Sequence, residues 1–390
     1  MKIGIVYTGG TIGCVGSPLR PMGEALFEVA FRAHVEPMLQ AAQPGLSLYF
    51  VPFGPVLDST DATPLDWVRQ ARAILLNYHH VDAFVVLHGT DTLAWSAAAL
   101  SFLLTSFNLE GVAESVLSKP VIVTGAQRPL FQQTGPSTVV LAGHTDALAN
   151  VCGAVEAIDL GLPEVGVYFN HQLLRGNRAV KVQTAGFDAF ASPNHPPLAT
   201  CGASWAMNSS VWYPSITLER SLDNPDVCAR VLAQLDHAAQ RVPQARVAVL
   251  PAFPAVSGPE GGLHAVMLEA VLNAGAGGVV LQAFGAGNFP SGAPQAPLNS
   301  PLFRQLLRAR ERGVVIVDTT QVLAGTVDAR TYASGSWLGE AGVIGLRDMT
   351  PMAALAKLTV LLALRDRGER AWPSLVIEQL MQDCVAGELS

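Results

Sequence analysis

The stretch Ile3-Gly4-Ile5-Val6-Tyr7-Thr8-Gly9-Gly10-Thr11-Ile12 decides the fold. Its first half is a short apolar run, which is typical of a strand buried in a parallel sheet, and its second half is a glycine turn between threonines. The same order recurs where residues 83–87 precede His88-Gly89-Thr90-Asp91-Thr92. Because open α/β sheets bind ligands beyond the carboxyl ends of their strands, we expect both threonine loops to face one crevice. Such a crevice suits nucleophilic chemistry by a hydroxyl group.

Two more loops of this kind increase the number of polar groups at strand ends. Residues 121–123 lead into Thr124-Gly125-Ala126-Gln127-Arg128-Pro129, and residues 53–57 lead into Asp58-Ser59-Thr60-Asp61. Polar groups that converge from several strand ends are what a small polar ligand requires. None of these loops has the glycine spacing of a P-loop or of a dinucleotide-binding turn, which disfavours a dinucleotide-dependent oxidoreductase.

Alternating apolar and amphipathic segments predict an α/β protein with a mostly parallel sheet. In the first half we predict strands at 2–7, 47–52, 82–87, 119–124 and 164–169, and helices at 24–41, 64–77, 92–106 and 137–158. In the second half we predict strands at 246–250, 277–282 and 313–318, and helices at 260–274, 299–312, 350–365 and 373–386. The segment 184–215 is rich in Pro, Asn, Ser and Ala and is predicted to be a linker or long loop.

Composition excludes several classes of protein. The 390 residues are 50% hydrophobic and 14% charged, so a large core is available and disorder is not expected. A net charge of -7 with no basic run argues against nucleic acid as a partner, and no apolar stretch is long enough for a membrane span. Five cysteines without metal-ligand spacing, and no signal peptide before the first motif, predict a cytoplasmic protein with reduced thiols.

The two threonine motifs, in this order, resemble those of the bacterial asparaginase/glutaminase family, and within it the type I, cytoplasmic branch. The resemblance extends from the first motif to Asp348-Met349-Thr350 and includes Arg175-Gly176-Asn177-Arg178, residues 190–196 and Gly285-Ala286-Gly287-Asn288. It implies a larger N-terminal doubly wound domain (1–190), a linker (191–215) and a smaller C-terminal α/β domain (216–390). It also implies hydrolysis of L-asparagine to L-aspartate and ammonia, with no metal and no cofactor.

The resemblance also implies roles for single residues. The nucleophile falls on Thr11, and the second threonine, its neighbouring aspartate and the catalytic lysine fall on Thr90, Asp91 and Lys181. The positions that contact substrate are Asp58, Ser59, Thr60, Gly89 and Ala126. The residues alone also allow purely structural roles. Thr90 or Asp91 would suit the N-cap of the following helix, and Lys181 would suit a solvated surface.

One departure from the family concerns the loop at residues 13–23, which we predict to be a mobile lid over Thr11. In the best-known branch a tyrosine on this loop assists the nucleophile, whereas here the loop holds no tyrosine. A module that binds aspartate or asparagine with little turnover is therefore the alternative function. For either function we expect a small-molecule ligand and a homodimer or homotetramer.

Overall fold

The computed structural model describes residues 1–135, 138–211, 217–257, 261–328, 333–366 and 371–390. Contacts divide the chain into two compact units, residues 1–105 with 115–235 and residues 106–114 with 236–390. The domain boundaries given above, after residues 190 and 215, stay a prediction.

The strands in these ranges are Lys2–Tyr7 (β1), Cys14–Val15 (β2), Arg20–Pro21 (β3), Ser47–Phe50 (β4), Ala83–Leu87 (β5), Thr105–Phe107 (β6), Ala113–Ser115 (β7), Val121–Thr124 (β8), Phe131–Gly135 (β9), Thr138–Leu141 (β10), Val165–Phe169 (β11), Gln172–Arg175 (β12), Val180–Lys181 (β13), Phe190–Ala191 (β14), Ala199–Cys201 (β15), Trp205–Met207 (β16), Val247–Pro251 (β17), Gly278–Ala283 (β18), Val315–Thr320 (β19) and Ile344–Gly345 (β20). The α-helices are Glu24–His34 (α1), Glu36–Ala42 (α2), Pro64–Leu76 (α3), Leu93–Leu103 (α4), Ala147–Ala157 (α5), Pro225–Arg241 (α6), Gly262–Asn273 (α7), Pro301–Glu311 (α8), Ala333–Glu340 (α9), Pro351–Leu364 (α10) and Ser374–Gln382 (α11).

The first unit is built on a large sheet in the order β16-β15-β12-β11-β8-β5-β1-β4. Strands β4, β1, β5, β8 and β11 are parallel, and β12, β15 and β16 extend the sheet antiparallel. Counted along the chain, the parallel strands have the order 2-1-3-4-5, in which the direction of winding reverses between β1 and β5. A doubly wound sheet of this order binds its ligand at that reversal. The predicted fold class is confirmed.

Helices cover both faces of this sheet. Alternate residues of β1, namely Ile3, Ile5 and Tyr7, belong to one buried cluster with Phe27 and Phe31 of α1 and with residues of α5. Helix α3 contacts β1, and α4 contacts β8 and β11, but neither helix contributes to that cluster. They therefore cover the opposite face, and the strands are buried on both sides, as their continuous apolar runs predict.

Two sequence predictions for the first unit need correction. The helix predicted at 137–158 begins only at Ala147, because Thr138–Leu141 forms a strand that pairs antiparallel with Phe131–Gly135. These four residues alternate in exposure, as a half-buried β-strand does, and Thr and Val favour that conformation. In the segment predicted as a linker, β15 and β16 add two strands to the large sheet through pairing with β12.

The second unit contains a parallel sheet in the order β17-β18-β19-β20. One buried cluster of this unit joins residues of β17, β18 and β19 to α7 and α8. The predicted start of α10 is confirmed, because the Thr350 hydroxyl accepts the Ala353 N–H at 3.1 Å and Pro351 takes the first helical position. Among the described residues no helix combines the length and the apolar character that a bilayer crossing requires.

Asp318 is an exception among the buried polar groups of β19. Its side chain is 1% exposed, and neither carboxylate oxygen has a hydrogen-bond partner among the described residues. Burial raises the pKa of this carboxyl group from 3.8 to about 8. Between about pH 4 and pH 8 the folded protein therefore keeps a proton on Asp318 that the unfolded chain releases. The free energy of unfolding consequently falls as the pH rises toward 8.

We predict that Asp318→Asn removes this pH dependence, because the amide cannot ionise. The free energy of unfolding of the parent should fall by up to about 1.4 kcal/mol per pH unit between these two pKa values. Urea unfolding at pH 5 and pH 8 measures the difference, with Asp366→Asn, a change at a half-exposed surface ion pair, as the control. A parent and an Asp318→Asn variant with equal pH slopes would contradict the prediction.

Candidate active site

The two threonine loops begin side by side at the ends of β1 and β5. Tyr7 and Leu87 are paired in the parallel register, and the chain continues into the loops directly after them. Both the backbone N–H and the hydroxyl of Thr8 donate to the Leu87 carbonyl at 3.0 Å. The pairing of the two strands therefore fixes the starting points of the two loops next to each other.

Gly10 and Gly89 bring the two loops into backbone contact. A Cβ atom on Gly10 would lie well inside the van der Waals radius of the Gly89 Cα, and one on Gly89 would collide with the Ser59 hydroxyl. Gly10 also has a φ of +79°, a conformation that favours glycine. Because these glycines directly precede Thr11 and Thr90, the approach places both threonines at one site.

The loop after residue 57 forms the next wall of this site. Leu57 donates its N–H to the Thr8 carbonyl at 3.0 Å and accepts the Gly10 N–H at 3.1 Å. The Asp58 carboxylate then accepts the Thr60 N–H at 3.0 Å and starts a short 3-10 turn. Ser59 is 3% exposed. Asp58, Ser59 and Thr60 are therefore held beside the first threonine loop, as the predicted substrate contacts require.

Lys181 joins Thr90 and Asp91 into one hydrogen-bonded group. Its ammonium group donates to Thr90 Oγ1 at 2.9 Å and to Asp91 Oδ1 at 2.7 Å. The Thr60 hydroxyl donates to the second oxygen of Asp91 at 3.4 Å. The Lys181 side chain is 18% exposed. A solvated surface lysine is therefore not what the structure contains, and the catalytic role that the resemblance implies for Lys181 stays a prediction.

Neither Thr90 nor Asp91 caps the following helix. Helix α4 begins at Leu93, its N-cap is Thr92, and the Thr92 hydroxyl donates to the Ser59 carbonyl at 2.7 Å. The capping interpretation of Thr90 and Asp91 is wrong, and their side chains are directed to Lys181 instead.

Gln127 and Asp146 complete the site and were not predicted from the sequence. The Thr90 hydroxyl donates to Gln127 Oε1 at 3.4 Å, and Gln127 Nε2 donates to the Gly186 carbonyl at 3.2 Å. The buried Asp146 carboxylate accepts the backbone N–H groups of Gln127 and Arg128 at 2.9–3.1 Å.

Asp146 therefore holds the loop that carries Ala126, which is fully buried. The sequence signal for this role was weak. It consists of one acidic residue in front of a helix whose start was misplaced.

Thr11 lies at the start of a 3-10 turn, Thr11–Gly13, and is half-buried. Its hydroxyl makes no hydrogen bond with any residue in the described part of the chain, so it is available to a ligand. The Gly10 N–H is already engaged by Leu57 and is not available to an oxyanion. The N–H group of Thr90 is not engaged with the described residues and can donate to one.

The predicted lid is a short hairpin in which Cys14–Val15 pairs with Arg20–Pro21. Tyr7 holds its base, because the phenol donates to the Met22 carbonyl at 3.1 Å and its ring stacks on Phe27 at 3.8 Å. Burial raises the pKa of the Cys14 thiol to about 11, so this cysteine stays neutral beside the site and is a poor nucleophile.

Comparisons with known proteins agree with this geometry. Family models described as "Asparaginase, N-terminal" and "Glutaminase/Asparaginase C-terminal domain" match residues 2–213 and 246–371. L-asparaginase 1 of Escherichia coli (strain K12) is 34% identical over 364 residues, which cover 93% of this chain and 92% of that protein.

Two solved structures are similar over the whole chain. L-asparaginase I from Vibrio cholerae is 33% identical, with a TM-score of 0.73, and the match covers 100% of this chain and 99% of the other. The thermostable L-asparaginase from Thermococcus kodakarensis is 26% identical with a TM-score of 0.72 and the same coverage. The strand order, the paired threonine loops and these matches together establish that the chain belongs to the asparaginase/glutaminase family.

Proposed function

We propose that this protein hydrolyses L-asparagine to L-aspartate and ammonia through an acyl-enzyme on Thr11. The observation that carries the proposal is the Lys181 ammonium group, held between Thr90 and Asp91 in the loop that Gly10 contacts. Membership of the asparaginase family and the similarity to L-asparaginase 1 support the same activity.

The reaction proceeds in two steps. The Thr11 oxygen attacks the side-chain carboxamide carbon of asparagine, the C–N bond breaks, and the hydroxyl proton leaves with the nitrogen as ammonia. Water then attacks the resulting ester, the bond to Thr11 breaks, and aspartate leaves with the hydroxyl restored. The negative oxygen formed in each step would be stabilised by the free N–H group of Thr90.

Lys181 and Asp91 would govern the proton that Thr90 exchanges during each step. With Lys181 protonated, its ammonium donates to Thr90 Oγ1, and the Thr90 proton is directed to Gln127. A neutral Lys181 can instead accept a proton through Thr90, and Asp91 then stabilises the ammonium that forms. Thr90 is the group through which Lys181 would act on a bound amide or water.

The other predicted residues would orient the substrate. Asp58 is an exposed carboxylate next to the first threonine loop and suits the α-ammonium group of an amino acid. Ser59, Thr60 and Gly89 would bind its α-carboxylate, and the Ala126 carbonyl would accept the amide N–H. Because the Asp146 contacts fix that carbonyl's loop, the substrate amide would meet a preorganised acceptor.

A binding module remains the second candidate, because the lid has no tyrosine and the Tyr7 phenol is already hydrogen-bonded below it. Ammonia release from L-asparagine distinguishes the two. Turnover supports the enzyme, and saturable binding of asparagine without ammonia supports the module.

We also propose a homodimer or homotetramer in the cytoplasm. The low share of charged residues supports assembly, and five cysteines free of disulfides support a reducing compartment. Light scattering tests the assembly, and a monomer at micromolar concentration would refute it.

We predict that Thr11→Ala lowers kcat/KM for ammonia release by at least about 1000-fold, roughly 4 kcal/mol of barrier, because only the nucleophile is lost. Thr11→Ser keeps a hydroxyl and should retain measurable turnover. Equal melting temperatures show that the variants are folded. A kcat/KM of Thr11→Ala within about tenfold of the parent value would contradict the assignment of Thr11 as the nucleophile.

We predict that Thr90→Val and Lys181→Met are strongly non-additive, because the two residues act as one unit. Steady-state ammonia release from the double variant should be within about threefold of the worse single variant. Thr105→Val, which removes a buried hydroxyl that donates to the Ser101 carbonyl, is the matched control. Rate losses that simply multiply would count against a shared proton path.

A further inference from the structure

A cavity of about 780 Å3 lies beside the proposed active site, in the first unit. It is lined by Val15, Gly16, Ser17 and Leu19 of the lid hairpin and by residues of β9, among them Phe131. The segment Gln127–Pro129 also lines it. Of the residues placed above in the active site, Gln127 lines this cavity, and the nine assigned to catalysis or substrate binding do not. Its size falls within the range of sites that enclose small organic ligands.

Arg128 brings a positive charge to this cavity, and no negative charge lines it. Arg128 and His144 line it, and the lining contains no aspartate or glutamate. An Arg128 guanidinium N–H donates to His144 Nδ1 at 2.8 Å. Within the described residues Arg128 has no carboxylate partner. Arg128 is exposed, and the planar fork of N–H donors on an arginine matches a carboxylate, so Arg128 can pair with an anionic ligand that enters the cavity.

The remaining walls are largely apolar. The apolar residues that line the cavity are Val15, Leu19, Pro129, Phe131 and Ala142. Leu19 lies at the tip of the lid hairpin and is 53% exposed, so its side chain is available for apolar contact with a ligand in this cavity. A ligand that satisfies both parts needs a carboxylate at one end and an apolar body at the other.

We propose that this cavity is a second ligand site, which binds a small carboxylate with an aromatic or branched apolar body. Its carboxylate pairs with Arg128, and its apolar part packs between Leu19 and Phe131. The site is coupled to the catalytic group through Gln127, which lines the cavity and accepts a hydrogen bond from the Thr90 hydroxyl. An occupant would also contact the lid hairpin. Binding in this cavity would therefore affect both Gln127 and the lid hairpin.

Calorimetric titration with 3-phenylpropanoate tests this site, with 3-phenylpropanamide as the uncharged analogue. The titration is run on the full chain with saturating L-aspartate present, so that the proposed active site is occupied. Arg128→Gln removes the cation and keeps the backbone N–H that Asp146 accepts. Arg20→Gln is the matched control, because Arg20 is an exposed arginine of the lid hairpin and does not line the cavity.

The carboxylate should bind saturably, and both the amide analogue and the Arg128→Gln variant should weaken binding by at least about tenfold. Arg20→Gln should change the affinity by less than about twofold. The proposal is overturned if no saturable heat is seen up to about 10 mM or if Arg128→Gln binds as the parent does. Each outcome is read from binding alone, so it is independent of whether asparagine is hydrolysed.

Discussion

The close approach of Gly10 to Gly89 is the constraint on which the rest of the site depends. It requires two residues without Cβ atoms, at the ends of two neighbouring parallel strands, where the winding of the sheet reverses. The neighbouring segments of the site are positioned by hydrogen bonds to these two loops. Leu57 is tied to Thr8 and Gly10, and Lys181 to Thr90 and Asp91.

The electrostatics of the site follow from unequal burial. The Asp91 side chain is 61% exposed, whereas the Lys181 side chain that it pairs with is 18% exposed. An ion pair in contact with water contributes little to stability, so its value here lies in positioning the Lys181 nitrogen against Thr90. Asp146 contrasts with it, because its buried carboxylate is satisfied by backbone N–H groups and serves to fix a loop.

Much of the fold and of the site could be predicted from local sequence. The strands that carry the site end within a few residues of their predicted positions, because buried parallel strands are continuous apolar runs that stop at a glycine loop. The two threonines, Asp91 and the Asp58 loop follow directly from those ends. Lys181 required the family resemblance, since a lysine in a two-residue strand carries no signal of its own.

The rest depends on contacts between distant residues. The β9–β10 hairpin was hidden inside a predicted helix, and α6, Pro225–Arg241, was not predicted at all. Gln127 reads as an ordinary loop residue until the Thr90 hydroxyl is placed 3.4 Å from its side-chain oxygen. Position in three dimensions, and not residue type, makes Gln127 part of the site.

The most direct test of the central constraint is kcat/KM for ammonia release by Gly10→Ala, measured beside Gly45→Ala. Both glycines have a positive φ, +79° and +88°, so both substitutions carry similar backbone strain, but a Cβ on Gly45 meets no atom within 4 Å. If the contact with Gly89 sets the site, Gly10→Ala should lose at least about 100-fold, roughly 2.7 kcal/mol, and Gly45→Ala less than about twofold. Equal activity of the two folded variants would contradict the account.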